Sequence, residues 1–105
     1  MKTVNQSNFE KEVLQSATPV MVKFTAEWCP PCKRLHPLLE EVEKEVEGKA
    51  QVVALDIDDD PELASAYKVK SIPTMIVFKG GQITKTQVGS VGKEALVKLL
   101  DLESK

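Results

Sequence analysis

Residues 19–47, PVMVKFTAEWCPPCKRLHPLLEEVEKEVE, join an apolar run, a close pair of cysteines and an amphipathic stretch. The run over residues 19–24 is nearly continuous in apolar side chains, which is typical of a parallel strand covered on both faces. After the cysteines, apolar side chains recur at helical spacing: Leu35, Leu38, Leu39, Val42 and Val46. The stretch predicts a strand that leads into a long helix, with Cys29 and Cys32 at the junction.

A second apolar run over residues 50–57 predicts another buried strand, so the three elements form a right-handed βαβ unit with a parallel sheet. The flanking patterns predict strands over residues 3–5, 74–78 and 83–88, and helices over residues 7–16, 60–67 and near the C-terminus. Ser7 and Glu10 match a capping box, and Asp60 before Pro61 predicts another helix start. The order βαβαβαββα predicts an α/β fold with a mixed sheet of about five strands flanked by about four helices.

The composition excludes several classes of partner. The chain of 105 residues has a formal net charge of -2, so no basic surface favours nucleic acid or an acidic membrane. Its length predicts one domain over residues 1–105. The N-terminal residues lack the apolar core of a signal peptide, which predicts a cytoplasmic protein. In the cytosol, a close cysteine pair usually serves redox chemistry or metal binding rather than structure.

The position of the cysteines favours redox chemistry. A disulfide across two intervening residues closes a very short loop and therefore stabilises the fold little. A thiol attacks a disulfide as the thiolate, and the free amides of a helix N-terminus stabilise that charge. Cys29 is predicted to lie where this field is strongest, with Cys32 one helical turn further on. Pro31 suits the first helical turn, because no amide hydrogen is required there.

Two other interpretations of this region are open from the residues alone. Cys29, Cys32 and His36 have helical spacing and could hold zinc, but they supply only three ligands, so no metal site is predicted. His36 is then a solvated helix residue. Trp28 is either a core aromatic residue or a residue at the edge of the site.

Three motifs, Ala26-Glu27-Trp28-Cys29-x-Pro31-Cys32-Lys33, Ile72-Pro73-Thr74 and Val88-Gly89, resemble the thioredoxin family, and the similarity extends over essentially the whole chain. The resemblance implies a thiol–disulfide oxidoreductase that reduces protein disulfides and serves as a general electron donor. It implies that Cys29 is the exposed nucleophile and that Cys32 resolves the intermediate. It also implies that Trp28 flanks the site, that the backbone of Ile72 pairs with an extended substrate, that Pro73 is cis, and that Gly89 keeps the substrate groove open.

The same resemblance implies the partners of the protein. The expected electron donor is an NADPH-dependent flavoprotein, thioredoxin reductase, and the expected clients are disulfide-containing proteins. The redox centre is the Cys29–Cys32 disulfide itself, with no further cofactor, and a monomer is expected. Two alternatives are a thiol oxidant or glutaredoxin-like protein recycled by glutathione, and a binding module that uses the groove around Trp28, Ile72 and Gly89 without redox chemistry.

Two site-shaping residues depart from the family pattern. Pro30 replaces the usual glycine and removes a backbone donor near Cys29, which should raise the thiol pKa. Lys23 stands where the family usually has a buried aspartate, and Ala54 stands where it usually has the facing lysine. A buried ammonium would favour thiolates and make the protein a better oxidant, opposing the effect of Pro30. The hypothesis for Lys23 is half-burial with a carboxylate partner, Asp56 or Glu27, and the alternative is an ammonium that reaches water.

Overall fold

The computed structural model describes residues 1–102 of the chain, so the predicted end of the domain at residue 105 lies outside the described residues. The strands are β1 (Lys2–Thr3), β2 (Val20–Thr25), β3 (Gln51–Asp56), β4 (Thr74–Lys79) and β5 (Gln82–Val88). The helices are a π-helix (Glu10–Leu14), α1 (Pro30–Glu45), α2 (Pro61–Ala66) and α3 (Lys93–Leu100). This order confirms the predicted α/β fold and its βαβαβαββα sequence of elements.

The strands form one sheet in the order β1-β3-β2-β4-β5. The two apolar runs predicted to be buried are the interior strands β2 and β3, which pair in parallel. β4 runs antiparallel to both β2 and β5. In this register, Lys23 of the central strand faces Ala54 on one side and Met75 on the other.

Each face of the sheet has its own apolar core, because side chains alternate along every strand. One core packs β-strand residues against the π-helix and α2, and its largest members are Phe9, Phe24, Leu55, Ile76 and Phe78. The other packs the opposite faces against α1 and α3, and its largest members are Met21, Leu35, Leu39, Met75, Leu96 and Leu100. With both faces covered, β2 is almost wholly buried and holds the start of α1 in a fixed position. None of the helices within residues 1–102 has the length and apolar character needed to cross a bilayer.

The predicted capping interactions are wrong at two helices. The Ser7 hydroxyl donates to Asn5 Oδ1 at 2.5 Å instead of capping a helix, and Asn8 Oδ1 accepts from the Asn5 N–H at 2.7 Å. Asn5 Oδ1 thus accepts from Ser7, and Asn8 rather than Glu10 provides the side-chain acceptor for a free amide in this segment. The Asp60 carboxylate does not cap α2. It accepts from the Gln6 N–H at 3.2 Å and thereby ties the N-terminal segment to the start of that helix.

Candidate functional site

The two cysteines lie at the N-terminus of α1, directly after the loop that leaves β2. Cys29 is the N-cap residue in an extended conformation, and Pro30 and Pro31 occupy the first helical positions. Prolines fit there because the first helical residues need no amide hydrogen. Cys29 and Cys32 form a disulfide, with their Cα atoms 5.3 Å apart. The sequence therefore brings both sulfurs to the positive end of a helix of 16 residues.

The sulfur of Cys29 has few polar neighbours. It accepts from the Cys32 N–H at 3.3 Å, and it lies 4.0 Å from the carbonyl oxygen of Ile72. Pro30 and Pro31 have no amide hydrogen to offer, so the Cys32 amide is the donor that remains in the first turn. Cys29 is only 3% exposed and Cys32 is 0% exposed. The expectation of an exposed nucleophile is therefore wrong for the disulfide form, although Cys32 is the more buried of the two as expected.

A shallow groove runs from the dithiol across the loop before β4. Its lining includes Pro31, Leu38, Ile72, Pro73 and Gly89. The Ile72–Pro73 peptide bond is cis, as the family resemblance implies. The Gly89 N–H donates to the Pro73 carbonyl oxygen at 2.8 Å, which fixes the end of β5 beside this loop. Gly89 has φ +89°, and a Cβ atom built there meets nothing within 4 Å, so the groove is open at this point.

Trp28 lies outside this groove and lines a separate cleft with Asp56 and Asp58. Its side chain is 64% exposed, so the interpretation as a core aromatic residue is wrong. The indole Nε1–H donates to Asp58 Oδ2 at 2.8 Å. Asp58 is itself held by its own N–H, which donates to Asp56 Oδ1 at 2.8 Å. The indole is thus oriented by a short chain of contacts from the end of β3.

Lys23 differs from both expectations. It is only 2% exposed, so its ammonium does not reach water. Lys23 Nζ donates to the carbonyl oxygen of Cys32 at 2.9 Å. Neither Asp56 nor Glu27 lies within the 4.0 Å of an ion pair with it, so the hypothesis of a carboxylate partner is wrong as well. The cause is the register: Lys23 is flanked by Ala54 and Met75, while α1 presents a helix carbonyl directly above it. Burial lowers the pKa of Lys23 below 10.5.

The third residue of the zinc interpretation is turned to the surface. His36 Nε2 lies 3.7 Å from Glu40 Oε2, and the histidine side chain is 46% exposed. Both cysteine sulfurs are joined to each other rather than left as ligands. In the part of the chain that the structure describes, no three His, Cys, Asp or Glu side chains cluster as they would around a metal ion.

Asp58 is a site residue that the sequence did not reveal. The run Asp58-Asp59-Asp60 is short, and by itself it indicates only solvated acidic side chains. Its members separate in the fold, since Asp58 binds Trp28 while Asp60 binds the N-terminal segment. The one local signal is the place of Asp58, directly after the end of the parallel strand predicted over residues 50–57, where site residues collect in α/β folds.

Comparison with known proteins agrees with this geometry. A family model described as Thioredoxin matches residues 1–102. The thioredoxin of Rickettsia felis is 46% identical over 94 residues, which cover 90% of each chain. Thioredoxin 1 of a Nostoc species is 44% identical over 98 residues, covering 93% of this chain and 92% of that protein.

A third relative joins the same domain to a second activity. The bifunctional thioredoxin reductase/thioredoxin of Mycobacterium leprae is 47% identical over 95 residues, which cover 90% of this chain and 21% of that protein.

Proposed function

The chain belongs to the thioredoxin family and is a thiol–disulfide oxidoreductase that reduces protein disulfides through its Cys29–Cys32 pair, and we propose that Cys29 is the attacking sulfur and Cys32 the resolving one. The position of Cys29 as N-cap of α1 carries this assignment. Its sulfur accepts a hydrogen bond from the Cys32 N–H and lies at the positive end of the helix dipole. Both interactions stabilise a thiolate. Cys32, at 0% exposed, meets no client directly.

The first step is attack on the client. In the reduced protein, the Cys29 thiolate attacks one sulfur of a client disulfide, forming a bond between Cys29 and that sulfur and releasing the second client sulfur as a thiolate. The carbonyl of Ile72, 4.0 Å from the Cys29 sulfur, lies on the groove side of the reacting atom. A client segment that enters along the groove therefore passes beside this backbone before its disulfide meets Cys29.

The second step closes the intramolecular disulfide. Cys32 loses its proton, and its sulfur attacks Cys29 Sγ, which forms the Cys29–Cys32 bond and releases the remaining client sulfur. The client has gained two electrons and the protein has lost two. The helical turn between the two residues holds their Cα atoms 5.3 Å apart, a normal disulfide separation, so the ring closes without moving α1.

Client binding is assigned to two surfaces near the dithiol. The groove with Ile72, Pro73 and Gly89 takes an extended client segment, since most of its lining is apolar and the Ile72 carbonyl lies beside the Cys29 sulfur. Trp28 offers a large exposed face outside the groove, oriented by Asp58. Neither surface includes Cys32 or Lys23, which are buried.

The oxidised protein must be reduced again to act as a general electron donor. The fused Mycobacterium leprae relative carries a thioredoxin reductase next to the matching domain, which supports an NADPH-dependent flavoprotein reductase as the partner of this chain. The cytoplasm, where such a reductant keeps thiols reduced, is the proposed compartment. We assign the chain a single domain over residues 1–105 that acts as a monomer, without a cofactor beyond its own cysteine pair.

Single-turnover reduction of insulin by the prereduced protein tests the two cysteine roles. We expect the Cys32→Ser variant to accumulate a mixed disulfide with an insulin chain through Cys29, because the resolving thiol is missing. The Cys29→Ser variant should form no mixed disulfide and should lose at least about a thousandfold in rate, since the activated sulfur is gone.

The Lys33→Met variant is the matched control, because Lys33 is exposed, follows Cys32 directly and takes no part in the proposed reaction. It should reduce insulin at close to the wild-type rate. A Cys29→Ser protein that traps insulin through Cys32 would reverse the two assignments, and a wild-type protein unable to reduce insulin would refute the function.

A further inference from the structure

Lys23 is the one charged side chain that is buried within residues 1–102. Its contact with the Cys32 carbonyl oxygen, at 2.9 Å, places its nitrogen under the first turn of α1, next to the redox pair. A carbonyl dipole offsets part of the cost of burying an ammonium, but it does not neutralise the charge. The surroundings of Lys23 therefore decide which state of the dithiol best tolerates it.

The elements packed around Lys23 bring few compensating charges. β4 presents Met75, and β3 presents Ala54 directly opposite and Asp56 two residues further on. The carboxylates of Asp56 and Glu27 make no ion pair with Lys23, and Asp56 accepts from the Asp58 amide. At the start of α1, the buried titratable groups are the two cysteines, whereas Lys33 and Arg34 are exposed and His36 lies at the surface beside Glu40. In the described part of the chain, the dithiol is thus the partner that can supply a negative charge beside the amine.

We propose that Lys23 is a positioning residue whose charge stabilises the reduced dithiol over the disulfide. This inference deepens the proposed function, because it concerns the energetics of the same cysteine pair. The disulfide carries no charge and leaves the ammonium without a counter-charge. Reduction creates a thiolate on the buried cysteine pair, whose Cys32 carbonyl already accepts from Lys23, and the two opposite charges then stabilise each other.

The balance of electrons and protons makes this coupling measurable. When dithiothreitol reduces the protein, the Cys29–Cys32 bond breaks, the cyclic disulfide of dithiothreitol forms, and two electrons and two protons reach the protein. If one of the new thiols ionises, its proton passes to solvent or to a neutral Lys23. The thiolate raises the pKa of Lys23 above its value in the disulfide form. At a pH between these two pKa values, Lys23 is protonated in the reduced protein and neutral in the disulfide form, so that reduction adds a proton to Lys23.

The test is the equilibrium between the protein and dithiothreitol, measured for the wild type and for Lys23→Met. Without the buried charge, we expect the equilibrium to move at least about tenfold toward the disulfide form, which corresponds to about 30 mV. The pKa of the Cys29 thiol, followed by its rate of alkylation, should rise in the same variant. A merely structural role of Lys23 would change stability without moving these two readouts together.

Two further variants separate charge from hydrogen bonding. Lys23→Gln keeps a donor for the Cys32 carbonyl but has no charge, so it should behave like Lys23→Met. Lys33→Met removes an exposed lysine at the neighbouring helix position and should shift the equilibrium less than threefold. Added salt should weaken the small Lys33 effect and leave the Lys23 effect unchanged, because burial protects a charge from screening.

The outcomes decide between this inference and its rivals. A wild-type equilibrium in Lys23→Gln would overturn the charge mechanism in favour of the hydrogen bond, and a wild-type equilibrium in Lys23→Met would overturn any role in the redox reaction. Both results would leave the oxidoreductase activity intact. Failure of the wild type to exchange with dithiothreitol would instead contradict the proposed function. If Lys23→Met does not fold, the proton uptake of the wild type on reduction, measured against pH, tests the same coupling.

Discussion

The two sulfurs of the redox pair border two different environments. On the outer side of Cys29, Trp28 is 64% exposed and its partner Asp58 is open to solvent. On the inner side of Cys32, Lys23 is 2% exposed and Met75 is 0% exposed. We call the surface around Cys29 the outer flank, which comprises Trp28 and Asp58 together with Gly89 of the separate groove. We call the buried surroundings of Cys32 the inner flank (Lys23, Met75).

The contrast shows how burial decides what a charge can do. An exposed carboxylate such as Asp58 is solvated and screened, so its effect on the sulfurs is small and depends on salt. A buried ammonium is neither solvated nor screened, so its energy depends strongly on the charge of the dithiol beside it. Changes to the inner flank should therefore alter stability and redox equilibrium, whereas changes to the outer flank should alter client binding.

The largest effect on stability is expected at the inner flank. In the disulfide form, Lys23→Met should raise the free energy of unfolding at neutral pH by about 1–3 kcal/mol, because an apolar side chain of similar length replaces a buried charge without a counter-ion. Since burial lowers the pKa of Lys23, the unfolded chain binds more protons than the folded one between that lowered pKa and 10.5. The wild type should therefore gain stability relative to the variant as the pH rises through this window, and the difference between them should shrink.

Urea unfolding of the two proteins at a series of pH values measures this difference. Lys33→Met is again the matched control and should stay within about 0.5 kcal/mol of the wild type. A Lys23→Met protein that is less stable than the wild type at every pH would mean that the bond to Cys32 outweighs the cost of the buried charge. The distinction between the two flanks would then fail.

A smaller effect is expected at Gly89, on the outer flank. Gly89 (φ +89°) and Gly48 (φ +82°) share a left-handed backbone, and neither has an atom within 4 Å of a built Cβ. Alanine at either position should cost roughly 1 kcal/mol of stability, since both substitutions place a side chain in the same unfavourable conformation. Only Gly89 lines the groove, so only Gly89→Ala should also raise the KM for insulin severalfold.

The pair of variants separates backbone strain from obstruction of the groove. Urea unfolding gives the first and the steady-state rate of insulin reduction gives the second. Equal activity in the two variants would show that clients do not enter past Gly89. The groove at Gly89 would then not be part of the client-binding surface.

The sequence predicted the fold because its strong signals are local. The apolar runs of β2 and β3 and the helical spacing of Leu35, Leu39 and Val42 each specify one element. The order of elements then limits the sheet to few topologies. The positions of Cys29 and Pro31 at the start of α1 are also predicted by local chemistry. A helix N-terminus stabilises the negative charge of a thiolate, and its first turn accommodates a proline.

The errors lie where a side chain has several possible partners. Ser7 and Asp60 each fit a helix cap by spacing, yet Asn5 and Gln6 bind them in the folded chain. Lys23 is a lysine in an apolar strand, and the sequence does not show whether a carboxylate, water or a carbonyl satisfies it. The acceptor is the Cys32 carbonyl oxygen because the strand register places Ala54 beside Lys23 and the fold places the first turn of α1 above it. For Asp60 and Lys23 the choice depends on contacts between different elements of the fold, whereas Ser7 binds a competing acceptor only two residues away.

The smallest effect on stability is expected at Trp28, because most of its surface already meets water. Trp28→Phe keeps an aromatic face but removes the Nε1–H that donates to Asp58, so it should change the free energy of unfolding by less than about 0.5 kcal/mol. Insulin reduction should slow about two- to fivefold, because the ring loses its fixed orientation. Asp58→Asn retains an acceptor oxygen and should be closer to the wild type than Asp58→Ala. A loss above about 2 kcal/mol in Trp28→Phe would make the indole a structural residue, and the outer flank would then resemble the inner one.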